Sequence, residues 1–160
     1  MSTNTFQSTK VFEGFSIVFR QWRAQDTHCR YIHGYGISFK IWFSGELDEK
    51  NWVWDFGKFT QVQTEIDGMT PKQWVSYMFD HTFIAAEDDP HLPLFQDMAA
   101  KDLIQLRIVK AVGAERFAQL IYDKFNAFIL RETNGRVRVS KVEFSENRRN
   151  SAIYQPDLII

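Results

Sequence analysis

Apolar and polar residues alternate along several short runs of the chain, and one long run carries its apolar residues at helical spacing. In VFEGFSIVFRQW (11–22), Phe15, Ile17 and Phe19 take every second position, the period of a half-buried strand. RAQDTHCR breaks the pattern. YGISFKIWFSG (35–45) resumes it, with Ile37, Phe39 and Trp42 set among Ser38, Lys40 and Ser44. GELDEKN reads as a turn into WVWDF, so that 45–59 is expected to be a turn and a strand. LIQLRIVKAV (103–112) predicts another strand. Gly135 opens RVRVSKVEFSE, in which Val137, Val139, Val142 and Phe144 are the apolar members.

Between these runs the period changes. FTQVQTEI suggests a short helix stopped by DGMTP. Thr70 is then a candidate N-cap and Pro71 a first helical residue for PKQWVSYMF. HLPLFQDMAA suggests one more short helix. In GAERFAQLIYDKFNAFIL, residues Phe117, Leu120, Ile121, Phe125, Phe128 and Ile129 fall on one helical face. Strands, helices and again strands predict an α+β domain with an antiparallel sheet. The 160 residues suit a single domain, 1–160, with a polar and flexible stretch at 1–10.

Composition narrows the function classes. The 15 Phe, 5 Trp and 5 Tyr point to a sheet-rich core or a large subunit interface. A formal net charge of −1 makes no electrostatic case for nucleic acid or an anionic membrane as a partner. A single Cys leaves no intrachain disulfide and suits a reducing cytoplasm. MSTNTFQSTK has no apolar signal core, and no run approaches the length of a membrane span.

The candidate chemistry concentrates in HCRYIHGYGISFK (28–40). His33 and Tyr35, two apart at the start of a strand, point to one face, half of a possible zinc site. A neutral phenol is a poor ligand, and a His there can equally serve a local hydrogen bond. Cys29 is either a small hydrophobe or a nucleophile or base, depending on what stabilises its thiolate. Asp80 precedes His81 at a helix end, where the carboxylate can orient the imidazole or the helix dipole can favour it. Glu146 ends the last strand and offers two coplanar acceptors to a guanine-like or pterin ring edge, unless it merely leads a solvated turn. EDDP (87–90) and ENRR (146–149) read as surface charge, and HGYG forms no phosphate loop.

Taken in order, CRYIHGY (29–35), GELDEKNWVWDFGKF (45–59), FDHTFI (79–84) and SENRRNSAIY (145–154) resemble the 6-pyruvoyl-tetrahydropterin synthases and 6-carboxytetrahydropterin synthases. The resemblance spans about residues 11–154. It implies a T-fold subunit, a four-stranded antiparallel sheet with helices packed on one face. Such subunits associate as homohexamers of two trimers, with active sites at the interfaces. It further implies a lyase acting on 7,8-dihydroneopterin triphosphate or a related pterin, as on the route to queuosine. Cys29 would be the base, Asp80–His81 the proton relay and Glu146 the pterin anchor.

The family binds zinc through three His. Here only His33 is retained; Tyr35 stands at the third position and Gln21 falls at the first, a divergent ligand set. His28 and Cys29 are the nearby substitutes, and Arg20 and Arg23 are candidate phosphate contacts. A non-catalytic pterin- or purine-binding protein that has lost the zinc site is the rival reading, and a different reaction on a related bicyclic substrate is a third.

Overall fold

Most of the apolar runs find partners in one six-stranded sheet. The computed structural model describes residues 4–62 and 68–156. The strands are β1 (Phe6–Phe19), β2 (His33–Gly45), β3 (Thr82–Ala86), β4 (Leu106–Val109), β5 (Val137–Ser145) and β6 (Ser151–Tyr154), in the order β4-β3-β1-β2-β5-β6. The helices are α1 (Pro71–Phe79), α2 (Leu92–Ala100) and α3 (Ala114–Glu132). Among the described residues, no helix is long and apolar enough to cross a membrane.

The expected four-stranded antiparallel sheet is therefore corrected to a mixed one of six. β1, β2, β5 and β6 pair antiparallel, while β3 lies parallel to β1 and β4 parallel to β3. A helical crossover through α2 joins β3 to β4, which is how parallel neighbours must be connected. β3, TFIAA, escapes an alternation test because all five residues are buried. Ile84 and Ala86 belong to the main core, whereas Phe83 and Ala85 pack with Phe95 of α2. Successive strand residues face opposite sides, so α2 covers the face away from α1 and α3. The helices are not all on one face.

Local chemistry sets the other boundaries. The Thr70 hydroxyl accepts from the Gln73 N–H at 3.2 Å, and the Gln73 side chain accepts from the Thr70 N–H at 2.9 Å, a reciprocal cap that starts α1. β1 begins at Phe6, so residues 6–10 are paired with β2 rather than loose. WVWDF is not a strand: Asp48 accepts from the backbone N–H groups of Lys50 and Trp52, and Asp55 caps a short 3-10 turn over Phe56–Thr60. Of FTQVQTEI, residues 63–66 lie outside the described residues, and Phe59–Thr60 close that turn. The 103–112 strand shrinks to Leu106–Val109.

Two irregularities keep the core in phase. Phe12 and Phe15 on β1 oppose Phe39 and Ile37 on β2, three positions against two. This bulge, at Gly14 with φ +84°, brings Phe12 onto the same buried face as Ile17 and Phe19. A second bulge, between Trp42 and Phe43, buries Val137 and Val139 together with Val142 and Phe144.

Arg20 and Asp89 close the sheet end near α2, with two bonds of 2.8 and 2.7 Å between guanidinium and carboxylate. Burial alone would raise the Asp89 carboxyl. The Arg20 hydrogen bond, the His91 N–H and the Arg20 charge outweigh it and leave the group below its ordinary value. A depressed folded pKa means stability present above the unfolded value near ~3.9 and lost as pH falls through the folded one. Asp89→Ala is expected to cost roughly 3 kcal/mol at neutral pH by stranding Arg20. In urea melts, the gap to wild type should narrow below about pH 4.

Candidate active site

The loop from β1 to β2 folds back on itself. The Gln21 N–H donates to the Cys29 carbonyl at 2.7 Å, and the Thr27 hydroxyl caps the 3-10 turn His28–Arg30 through the Cys29 N–H. Cys29 is thereby held, exposed, at the end of the sheet where β2 begins. Two residues into that strand, Tyr35 stacks on Phe19, with ring centroids 4.4 Å apart and planes 17° from parallel. His33 lies against the same phenol at 4.4 Å. Its Nδ1 sits 2.9 Å from the Tyr31 carbonyl.

Ser145, the last residue of β5, pairs with Ser38 of β2, so Glu146 follows at the same end of the sheet as Tyr35. Tyr35 is pushed up to about 12, first by burial and then by the negative charges of Glu146 and Cys29. Glu146 itself is raised, chiefly by burial and next by the charge of Glu115, while His33 pulls the other way. The fold thus gathers Cys29, His33, Tyr35 and Glu146 from a loop and two strands. It adds Glu115, which the sequence reading missed. The available signal was an acidic residue in the first turn of α3, directly after Gly113.

Gln21 has a different task. Its Nε2 donates to the Val112 carbonyl at 2.8 Å and tethers the segment that starts α3. Gly113 has φ +118°, and a Cβ there would collide with the Gln21 amide. Only glycine suits both conditions.

Asp80–His81 stands apart. Asp80 caps α1, and its carboxylate Oδ1 lies 2.7 Å from His81 Nδ1. His81 has φ 57°, a left-handed conformation that is costly outside glycine, and its N–H donates to the Ser16 carbonyl at 2.8 Å. Ile17 pairs with Tyr35 on one side and Thr82 on the other, so Tyr35 and the start of β3 are about 10 Å apart across the sheet. Among the described residues, no hydrogen bond or ion pair joins Asp80 or His81 to Cys29. The His81 side chain is 78% exposed.

Zinc does not suit the trio at the family's ligand positions. The Gln21 amide is committed to Val112, and Tyr35 holds its proton. His33 is the one imidazole, where a three-ligand site needs several strong donors. Among the described residues, no group of three His, Cys, Asp or Glu could hold a metal.

Arg20 and Arg23 are also engaged. Arg20 is bound to Asp89, and Arg23 donates to Asp88 at 2.6 Å while lying over Trp22. The EDDP cluster is accordingly not all surface charge, because Asp89 is buried.

Against known proteins, the family model described as 6-pyruvoyl tetrahydropterin synthase matches residues 8–157. No curated protein sequence matches the chain. Among solved structures, an uncharacterized protein of Wolinella succinogenes superposes with a TM-score of 0.78 at 20% identity, over 97% of this chain and 100% of that one. The 6-pyruvoyl tetrahydropterin synthase of Caenorhabditis elegans superposes with a TM-score of 0.63 at 17% identity, over 98% and 99%. That of Plasmodium vivax gives 0.62 at 14% identity, over 96% and 99%.

Proposed function

Because the chain belongs to the 6-pyruvoyl tetrahydropterin synthase family, we propose that it is a lyase acting on 7,8-dihydroneopterin triphosphate or a closely related pterin. The observation that carries this reading is that Cys29, in the loop before β2, and Glu146, directly after the Ser145–Ser38 pair of β5 and β2, come to the same sheet end as the half-buried phenol of Tyr35. A proton-transfer group and a planar two-oxygen acceptor then share one site, as a reaction on the side chain of an anchored bicyclic ring requires.

In this reading the Glu146 carboxylate accepts paired N–H bonds from the pterin ring edge, each charge-assisted bond worth roughly 1.5–3 kcal/mol. The Cys29 thiolate takes a proton from the substrate side chain. The Tyr35 hydroxyl, whose ring contacts Phe19 and His33, stays a donor at neutral pH.

Asp80–His81 serves as the proton relay. Its separation from Cys29 within one subunit supports a site completed by the Asp80–His81 of a neighbouring copy, in a homohexamer. No step is assigned to zinc, because the Gln21, His33 and Tyr35 donors do not suit it.

The test is incubation of the purified protein with dihydroneopterin triphosphate and product analysis by mass spectrometry. A new pterin product is expected. Glu146→Ala should raise KM at least tenfold, the loss of about one charge-assisted bond. Saturable pterin binding with no product would leave a binding protein in place of the lyase.

A further inference from the structure

At the end of β1 and β2 away from Cys29, two buried polar groups lack hydrogen bonds. Ser8 lies on β1 four positions before Phe12 with no bulge between them, so its side chain shares the core face with that ring. It pairs with Phe43 of β2, against which Phe56 and Phe59 pack at 5.6 and 5.7 Å. The Ser8 hydroxyl is thereby on the face that segment 52–59 covers. Trp54, in that segment, is 7% exposed. Among the described residues, neither Ser8 Oγ nor Trp54 Nε1 has a hydrogen-bond partner, and both atoms are shut off from solvent.

Both residues line one groove of about 550 Å³, with Phe6, Leu47, Trp52 and Phe56 as its apolar walls. That volume is ordinary for a small-molecule site. None of the lining residues is a Lys, Arg or His, and the one carboxylate, Asp55, already accepts from the Gly57 N–H at 2.9 Å. An anionic ligand would find no counter-charge there. An indole N–H can only donate, whereas a hydroxyl can also accept. A carbonyl beside an N–H answers both groups, and a flat ring carrying that edge stacks on aromatic walls. Phe6 and Trp52 are exposed, so these wall side chains can turn aside to admit it.

We propose that this groove binds an uncharged planar lactam, of the nucleobase kind, through Trp54 Nε1 and Ser8 Oγ. This site goes beyond the lyase reading and does not depend on it. Phe43, the partner of Ser8, and Tyr35 stand eight residues apart on β2, a separation of about 25 Å.

Ligand-observed NMR titration of the full-length protein tests the site, with hypoxanthine as the neutral lactam and benzoate as a flat anion. Wild type should bind hypoxanthine and not benzoate. Ser8→Ala and Trp54→Phe each remove one hydrogen-bonding group, and each should weaken hypoxanthine binding at least tenfold. Ser8→Ala deletes a hydroxyl that has no partner, so its melting temperature should not fall below wild type. That variant remains informative should Trp54→Phe fold poorly. Glu146→Ala should bind hypoxanthine as wild type does.

No hypoxanthine binding by wild type, equal binding of benzoate, or binding indifferent to both variants would overturn the site and leave the lyase reading intact. Hypoxanthine binding lost in Glu146→Ala would move the ligand to the other end of the sheet and overturn the groove as well.

Discussion

Cys29→Ala is expected to lower turnover of the pterin substrate by about 10²–10⁴-fold, the span of a lost general base. The side chain is exposed and fills no core space, so the melting temperature should stay with wild type. His81→Ala should be impaired in the same way while KM changes little, since a relay acts on the proton rather than on the ring.

The two inactive variants then test the placement of the site. Among the described residues no hydrogen bond or ion pair joins Asp80 or His81 to Cys29, and the proposed reading therefore takes one group from each of two copies. Unfolding and refolding an equal mixture of Cys29→Ala and His81→Ala should regenerate about a quarter of the sites with both groups intact, by random assembly of a symmetric oligomer. A mixture as inactive as its parents would show that the relay does not act across subunits.

Phe39→Ala is expected to cost roughly 3–5 kcal/mol, a large share of the ~5–15 kcal/mol that holds an ordinary domain folded. Phe39 is 1% exposed, and its ring lies 5.2 Å from Phe12, 5.7 Å from Phe79 and 6.2 Å from Phe144. It therefore joins three elements of the sheet-and-helix core, β1, α1 and β5. Its removal leaves a cavity that three fixed neighbours cannot fill.

Leu103→Ala is the control, because that side chain is 67% exposed and should stay within about 0.5 kcal/mol. Urea unfolding at one protein concentration measures both, since self-association would make the midpoint depend on concentration. Equal midpoints for the two variants would contradict the central role of the Phe39 cluster.

The reading of α3 and α1 rests on short-range signals. The predicted face of α3 is buried at Phe117, Ile121, Phe125, Phe128 and Ile129, and Thr70 and Pro71 start α1 at the expected residue. Helical spacing and caps act within one or two turns, so the sequence contains them whole. β3 and β6 were missed for opposite reasons. Five buried residues leave β3 without alternation, and β6 is only four residues long.

The two bulges lie between these cases. The change of phase between Phe12 and Ile17, and between Val139 and Val142, is visible in the sequence. That it is absorbed by an extra residue rather than by a turn depends on the partner strand.

At the candidate site, sequence by itself determined the inventory and the family: Cys29, His33, Tyr35, Asp80, His81 and Glu146 stand in an order that brings the chemistry to mind before any fold is known. Only the tertiary structure decided how they group. It brings the charges of Cys29 and Glu146 to bear on Tyr35 and that of the unforeseen Glu115 on Glu146, commits Gln21 to Val112, pairs Arg20 and Arg23 with acids more than sixty positions away, and leaves the His81 side chain exposed. The physical reason is one of range. Residue type and local spacing are properties of a short segment, whereas burial, charge and hydrogen-bond partners at a site depend on strands and helices brought together from across the chain.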